Sequence, residues 1–250
     1  MRAAGLTFAI LASLPGLQAF APPPSPWDVG ARQSKEGNCA AAVQTLTSAL
    51  ASAAGPTAAP YLSLFDCYAQ MKQPVDAEQI LRKGLVAHPG NAGLELALGE
   101  LLMDLQATSV EAGQLLEHVV HLTPRDPEAR NSYAQWAHVN YRERICVEQE
   151  KAALLLPSLS DDALVPINTL LGACSGAVED AAGARAAFQK ANAVNLRRKT
   201  YDPDAAWQYV EFLKRYGQDT EVQSIVGEIL ERVPDYAPAL QERAKRSEAH

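Results

Sequence analysis

The chain has 250 residues, nearly half of them apolar and few aromatic, enough for one large domain or an array of small units. Its formal charge of −7 leaves no electrostatic footprint for nucleic acid or anionic lipid. Glycine and proline are common but scattered, so the chain is not of low complexity.

The first segment, "MRAAGLTFAILASLPGLQAFA", places Arg2 before an apolar run and small residues near Ala19 and Ala21. That order predicts a cleaved export signal over 1–21, with Ala19 as the alternative cleavage point. The run is broken by Ser13, Pro15 and Gly16, too short for a comfortable membrane span. The expected location is therefore periplasmic or extracellular, with no membrane span after cleavage. "PPPSP" predicts a short stiff spacer over 22–26.

From residue 27 a pattern recurs. A small residue is followed four positions later by a large apolar one at Ala42/Leu46, Ala77/Leu81, Ala112/Leu116, Ala184/Phe188 and Val222/Val226. The first three pairs are spaced by 35 residues, and Pro89, Pro124 and Pro234 close three of the units. Upstream of each pair lies a second apolar stretch, such as "YLSLFDCY", "ELALGELL", "NTLLGACS" or "AAWQYVEFL". Each unit thus holds two helix-length segments, A then B, punctuated by proline or glycine. The short side chain marks the helix crossing, the large one fills the space beside it, and proline stops helix B. No segment alternates persistently, so no sheet is expected. The stretch around "ARNSYAQWAHVNYRERICVEQEKAALLLP" is the most degenerate; its place rests on Trp136, Ala137 and position in the array.

This pattern resembles the tetratricopeptide repeat family. The resemblance rests on Tyr61, Leu64, Tyr68, Ala77, Leu81 and Pro89, on Leu98, Gly99, Ala112, Leu116 and Pro124, and on Leu171, Gly172, Ala184 and Phe188. The first unit (Val29, Gly30, Ala42, Leu46) and the sixth (Leu213, Gly217, Val222, Pro234) match more weakly. It covers roughly Trp27 to Pro234. It implies an all-α, right-handed superhelical solenoid of about six antiparallel helix pairs over 27–235. "PALQERAKRSEAH" would then cap the last apolar face, within 236–250. A 35-residue period also suits the RNA-reading pentatricopeptide family, but the acidic charge and the export segment argue against it.

In such a stack only adjacent units touch. Cys39, early in helix B of the first unit, would neighbour Cys67 in helix A of the second, and Cys146 and Cys174 stand in the same relation. Both separations are 28 residues. In an exported chain this predicts disulfides Cys39–Cys67 and Cys146–Cys174, the alternative being four small buried thiols.

The resemblance also implies that helix A side chains line a concave groove that binds a protein or peptide. Projected onto this chain, the groove would include Asp66, Glu100, Asp104, Gln135, His138, Tyr141, Arg142, Trp207, Gln208, Glu211 and Lys214. Family members that clamp a C-terminal carboxylate carry Lys, Asn and Arg where Asp66 and Glu100 stand, so that mode is not expected. The acidic half would complement a partner segment carrying Lys or Arg, and Tyr141 and Trp207 would seat an apolar anchor beside it. The expected role is an exported, non-catalytic adaptor or scaffold. The alternatives are a self-associating structural protein of the cell envelope and an enzyme whose chemistry is hidden in the groove.

Three further motifs carry weaker signals. "GACSG" (Gly172–Gly176) has the form of a nucleophile elbow but sits inside a helix pattern, not a strand-turn-helix. His118 and His121 share a helical face that reads as solvated. Arg197, Arg198 and Lys199 form a basic run in a longer connection. No phosphate loop, paired catalytic carboxylates or placeable Ser-His-Asp set is found. Neither a cofactor nor a metal is expected.

Overall fold

The structure is a computed structural model that describes residues 24–247. The predicted export segment lies outside the described residues. Six antiparallel helix pairs follow in order: α1 (Pro26–Lys35) with α2 (Cys39–Ser52), α3 (Ala59–Gln70) with α4 (Pro74–Ala87), and α5 (Ala92–Leu105) with α6 (Val110–Leu122). Then come α7 (Pro127–Val139) with α8 (Glu143–Leu154), α9 (Asp161–Ala177) with α10 (Ala181–Asn195), and α11 (Pro203–Arg215) with α12 (Asp219–Arg232). A final helix, α13 (Ala237–Ser247), packs on α12. No strand is present among the described residues.

Local chemistry sets the helix starts. Asn38, Asn91, Ser109, Asp126, Ser160, Asp180 and Asp202 each accept a hydrogen bond from a first-turn backbone N–H, satisfying a donor that has no partner inside the helix. Pro74, Pro127 and Pro203 begin their helices, where a missing N–H costs nothing. Pro89, Pro124 and Pro234 each lie two residues beyond the end of a B helix. Five of the six A-to-B turns share one geometry, the α5–α6 turn being the exception. Gly37, Lys72, Tyr141, Glu179 and Gly217 hold the left-handed conformation immediately before the next helix's N-cap. The N-cap N–H then reaches back five residues, as from Gln73 to the Tyr68 carbonyl and from Arg142 to the Ala137 carbonyl, which is the Schellman closure.

Packing follows the repeat register. Ala42, Leu46, Ala77, Leu81, Ala112, Leu116, Ala184, Phe188, Val222 and Val226 are all buried. In three repeats the large residue of helix B presses on a helix A glycine. A Cβ on Gly30 would lie 2.4 Å from Leu46, on Gly99 2.9 Å from Leu116, and on Gly172 2.8 Å from Phe188. Each A helix also packs on the next A helix, whereas B helices pack mainly on the A helices either side. The A helices therefore lie on the inner, concave side of the stack. Ala239 of α13 is fully buried and Tyr236 and Leu240 pack on the last cluster, so this helix covers part of the terminal apolar face.

The fourth repeat keeps the same register with different residues. Cys146 takes the small position and Glu150, four residues later, the large one, and both are fully buried. Asn131 Nδ2 donates to Glu150 Oε1 at 2.7 Å, but Oε2 meets no hydrogen-bonding group. Burial pushes the Glu150 carboxyl up to about 8, the bond from Asn131 working against that rise.

Cys146 and Cys174 are joined, with Cα atoms 6.2 Å apart, linking α8 to α9. Cys39 and Cys67 are buried neighbours, as the repeat register requires, yet in this structure the bond expected between them is open. Cys39 Sγ instead donates to Gln70 Oε1 at 3.4 Å, and Cys67 Sγ to Ser34 Oγ at 3.5 Å. Burial, reinforced by Cys67, pushes the Cys39 thiol up to about 11.

Candidate functional site

On the inner face, α7, α9 and α11 enclose two adjoining pockets that share Gln208 as a wall. The first, of about 300 Å³, has a floor of small α9 residues, Gly172, Ala173, Gly176 and Ala177. His138 bounds it from α7, Phe188 from α10, and Trp207, Glu211, Phe212 and Arg215 from α11. The second, of about 210 Å³, lies between Gln135, Pro166, Thr169, Leu170, Asp202, Asp204 and Ala205. The first has an apolar floor, the second a largely polar lining, and their rims carry both charge signs.

Trp207 is half-buried and held from two sides. Its ring meets Tyr236 edge-on, with centroids 6.2 Å apart, and Lys214 Nζ lies 5.7 Å from the ring centre. Tyr236 donates its hydroxyl proton to Asp204 Oδ1 at 2.7 Å. Lys214 donates to Glu211 Oε1 at 3.1 Å and Glu242 Oε2 at 3.0 Å, which raises its pKa, the bond to Glu242 being the larger cause. An aromatic ring held this way loses little freedom when a ligand docks on it.

Of the residues expected in the groove, Gln135, His138, Trp207, Gln208 and Glu211 are brought together here. Lys214 adjoins them but is committed to its two carboxylates. Asp66 on α3 and Glu100 and Asp104 on α5 stand in the second and third repeats and do not line these pockets. Burial raises the Asp66 and Glu100 carboxyls, and for Glu100 a 2.6 Å bond from Ser132 Oγ works against that rise. Tyr141 and Arg142 belong elsewhere. The helix ends at Val139, Tyr141 takes the left-handed turn position with φ 58°, and its side chain is 91% exposed. Arg142 lies over the Trp136 ring at 4.9 Å. Both residues border a separate shallow pocket with Arg144, Ile145 and Val178.

The α9 floor was absent from the residues projected by sequence. Small apolar side chains carry no chemical signal. The pointer was positional: helices A of the fourth and sixth repeats were represented and that of the fifth, between them, was not.

The weaker motifs resolve structurally. "GACSG" lies within α9, without the strand-turn-helix that exposes a nucleophile. His118 Nδ1 pairs with Glu95 Oε2 at 2.5 Å, and His121 Nδ1 lies 2.7 Å from the Glu117 carbonyl, so the two histidines face different partners. Arg197 binds Asp161 through two nitrogens at 2.7 and 2.8 Å, and Arg198 Nε lies 2.8 Å from Asp162. The basic run thus ties the connection after α10 to the start of α9.

A larger pocket, of about 530 Å³, lies between α12 and α13 and is lined by Val222, Val226, Gly227, Leu230, Glu242 and Arg243 among others. It belongs to the last repeat's stacking face. Among the described residues no helix is long and apolar enough to cross a membrane.

No family profile and no curated protein matches the chain. Solved structures do. PilW, a type IV pilus biogenesis factor, superposes with TM-score 0.72 at 14% identity, covering 88% of this chain and 96% of PilW. PilF of Pseudomonas aeruginosa gives 0.67 at 15%, covering 88% and 96%. The APC/C hetero-tetramer Cut9–Hcn1 gives 0.68 at 15%, covering 86% of this chain but 41% of that one. Likeness at such identity speaks to architecture, and with the helix pairs, crossings and closing prolines it establishes that this chain folds as an all-α solenoid of the tetratricopeptide-repeat type.

Proposed function

We propose that this protein is an exported, non-catalytic scaffold that holds a segment of a partner protein in the groove between α7, α9 and α11. The observation that carries this reading is the pairing of a rigidly held Trp207 with a floor of Gly172, Ala173 and Gly176. The small floor leaves room for an apolar side chain, and the clamped ring gives it a large surface to pack on. Gln208, Gln135 and His138 would pair with the backbone of an extended segment. The rim is mixed in charge, so the partner needs an apolar anchor more than a basic character; Asp66, Glu100 and Asp104 line neither pocket. Export is supported by the leader and by the Cys146–Cys174 bridge, which belongs in an oxidising compartment. The structural likeness to a pilus biogenesis factor agrees with a role in assembling something at the cell envelope.

The test begins with affinity capture of the partner from the native exported fraction. Trp207→Ala should then weaken that partner about 30-fold, the equivalent of a 2 kcal/mol hot spot. Unchanged affinity, with the fold intact by circular dichroism, would move the site off this groove.

A second reading has its own observation. The pocket between α12 and α13 leaves part of the terminal stacking face open, as self-association through the array's end would require. Sedimentation velocity separates the two: a concentration-dependent dimer lost on Gly227→Glu, at an exposed position lining that pocket, supports it, and a monomer at all concentrations disposes of it.

A further inference from the structure

Where α7 ends, α8 begins and α9 passes beneath, four metal-binding side chains of three types converge. The ligand atoms of His138, Glu143 and Cys174 all lie within 4.8 Å of one another. His138 Nδ1 and Glu143 Oε2 are 2.7 Å apart, and Cys174 is bonded to Cys146. We propose that these four residues form a zinc-type metal site, masked while the Cys146–Cys174 disulfide is closed and opened when a dithiol reduces it.

The geometry fits a tetrahedral ion. With metal–sulfur bonds of about 2.3 Å and metal–nitrogen bonds of about 2.0 Å, ligands of such a site stand roughly 3.3–3.8 Å apart. The present cluster lies within 4.8 Å, with the His138–Glu143 contact and the S–S bond shorter than that spacing. Reduction lets the sulfurs part, and side chain rotation would open His138 from Glu143 to admit the ion. The ligands come from three consecutive helices already locked together by packing, so little ordering remains to be done on binding. Both cysteines are fully buried, the Glu143 side chain is 16% exposed and that of His138 36%. The sulfurs are thus shielded from water, while the imidazole leaves a route for an ion from the groove. Elsewhere, His118 and Glu95 make a similar His–Glu contact with no cysteine beside it, so pairing alone does not build the set.

The ligand chemistry selects the ion. Two thiolates, an imidazole and a carboxylate suit a borderline-soft divalent metal such as zinc and are wrong for magnesium or calcium, which take oxygen. The redox step balances. A dithiol delivers two electrons and two protons to the S–S bond, giving two cysteine thiols and its own disulfide. The metal then binds both sulfurs as thiolates and releases two protons. His138 offers the Nδ1 lone pair with its single ring proton on Nε2. The bridge between α8 and α9 is thereby exchanged rather than lost, and His138 turns from the groove wall toward the ion. Metal occupancy would reshape one side of the binding pocket.

The experiment uses the full chain with Cys39→Ser and Cys67→Ser, so that the only thiols are those of this site. Oxidised and dithiothreitol-reduced forms, the latter desalted without oxygen, are titrated with Co²⁺ and then with Zn²⁺. The reduced form should take up one Co²⁺ per chain with thiolate-to-cobalt charge-transfer absorption and the intense visible bands of a tetrahedral ion, and Zn²⁺ should bleach them. The oxidised form should show neither. His138→Ala and Glu143→Gln leave the disulfide in place, so their oxidised forms can be checked for an unchanged fold. Once reduced, each should bind at least about 10-fold more weakly, the loss that even outer-shell changes bring about, with altered visible bands. Reduced protein that takes up no stoichiometric metal would overturn the proposal. So would uptake unchanged by both substitutions, or equal uptake by the oxidised form.

Discussion

Replacing Glu150 with glutamine isolates the least conventional feature of the core. Glu150 occupies the position that Leu46, Leu81, Leu116 and Phe188 fill in other repeats, with no exposed surface and a single hydrogen bond. Burial disfavours the carboxylate and pushes the group from its ordinary 4.5 to about 8. Between those values the folded chain holds a proton that the unfolded chain has released. Stability therefore falls as pH rises through this window and levels off above it. The slope for one proton is about 1.4 kcal/mol per pH unit, so the full window amounts to an upper bound of about 5 kcal/mol. Glutamine keeps the acceptor for Asn131 and cannot titrate. The assay is urea unfolding of both proteins at intervals from pH 5 to pH 9, with the disulfide intact. Their difference should be small at pH 5, grow in favour of glutamine toward pH 8, and then stay constant. Other groups titrate equally in both chains and cancel. Parallel stability curves would refute the reasoning, because they would mean that the Glu150 proton is bound no more tightly in the folded protein than in the unfolded one.

Other outcomes follow from the same packing. Ala77→Leu or Ala184→Leu should overpack a fully buried crossing and cost roughly 1–3 kcal/mol by thermal unfolding; neutrality at both would contradict the register. Two helix glycines should respond oppositely to alanine. At Gly113 a Cβ would meet the Trp136 ring at 2.2 Å and destabilise, while at Gly227 nothing lies within 4 Å and better helix propensity should stabilise by about 0.5–1 kcal/mol. Thiol counting should find two free cysteines in denaturant without reductant and four with it, and slow labelling of the folded protein because both free thiols are buried and Cys39 titrates near 11. A count of zero before reduction would mean that Cys39 and Cys67 are also bridged.

The repeat was legible wherever both packing positions were apolar. Ala77/Leu81 and Ala112/Leu116 announce a crossing because the short and the long side chain are both hydrophobic and recur at fixed spacing. Cys146/Glu150 does the same job, but a buried glutamate does not read as a core residue, so the fourth repeat looked empty in sequence. The groove was half legible. Trp207 and Gln208 line the inner face, as expected of helix A side chains. Tyr141 and Arg142 were misplaced because the end of α7 depends on a left-handed residue, and here that residue is a tyrosine rather than the glycine that marks the turns at Gly37 and Gly217. Ion pairing also escaped the sequence: Arg197 and Arg198 find Asp161 and Asp162 36 residues away, across a turn whose course no local pattern gives.

These departures cluster. The buried Glu150, the Cys146–Cys174 bridge and the 17-residue α9 with Pro166 inside it all lie in the fourth and fifth repeats. The other five repeats, the fifth with Ala184 and Phe188 included, keep apolar residues at the small-then-large pair. Chains break local rules where something other than stability is being selected, and the neighbouring regular structure makes up the loss. The groove floor comes from α9 and one wall from α7, the helices that flank the irregular α8. A covalent tie between α8 and α9 holds that floor in place at a point where the core itself is weakened by a buried acid. The regular repeats on either side then act as clamps, and the fourth and fifth repeats are where a partner's binding and the chain's redox state would be felt together.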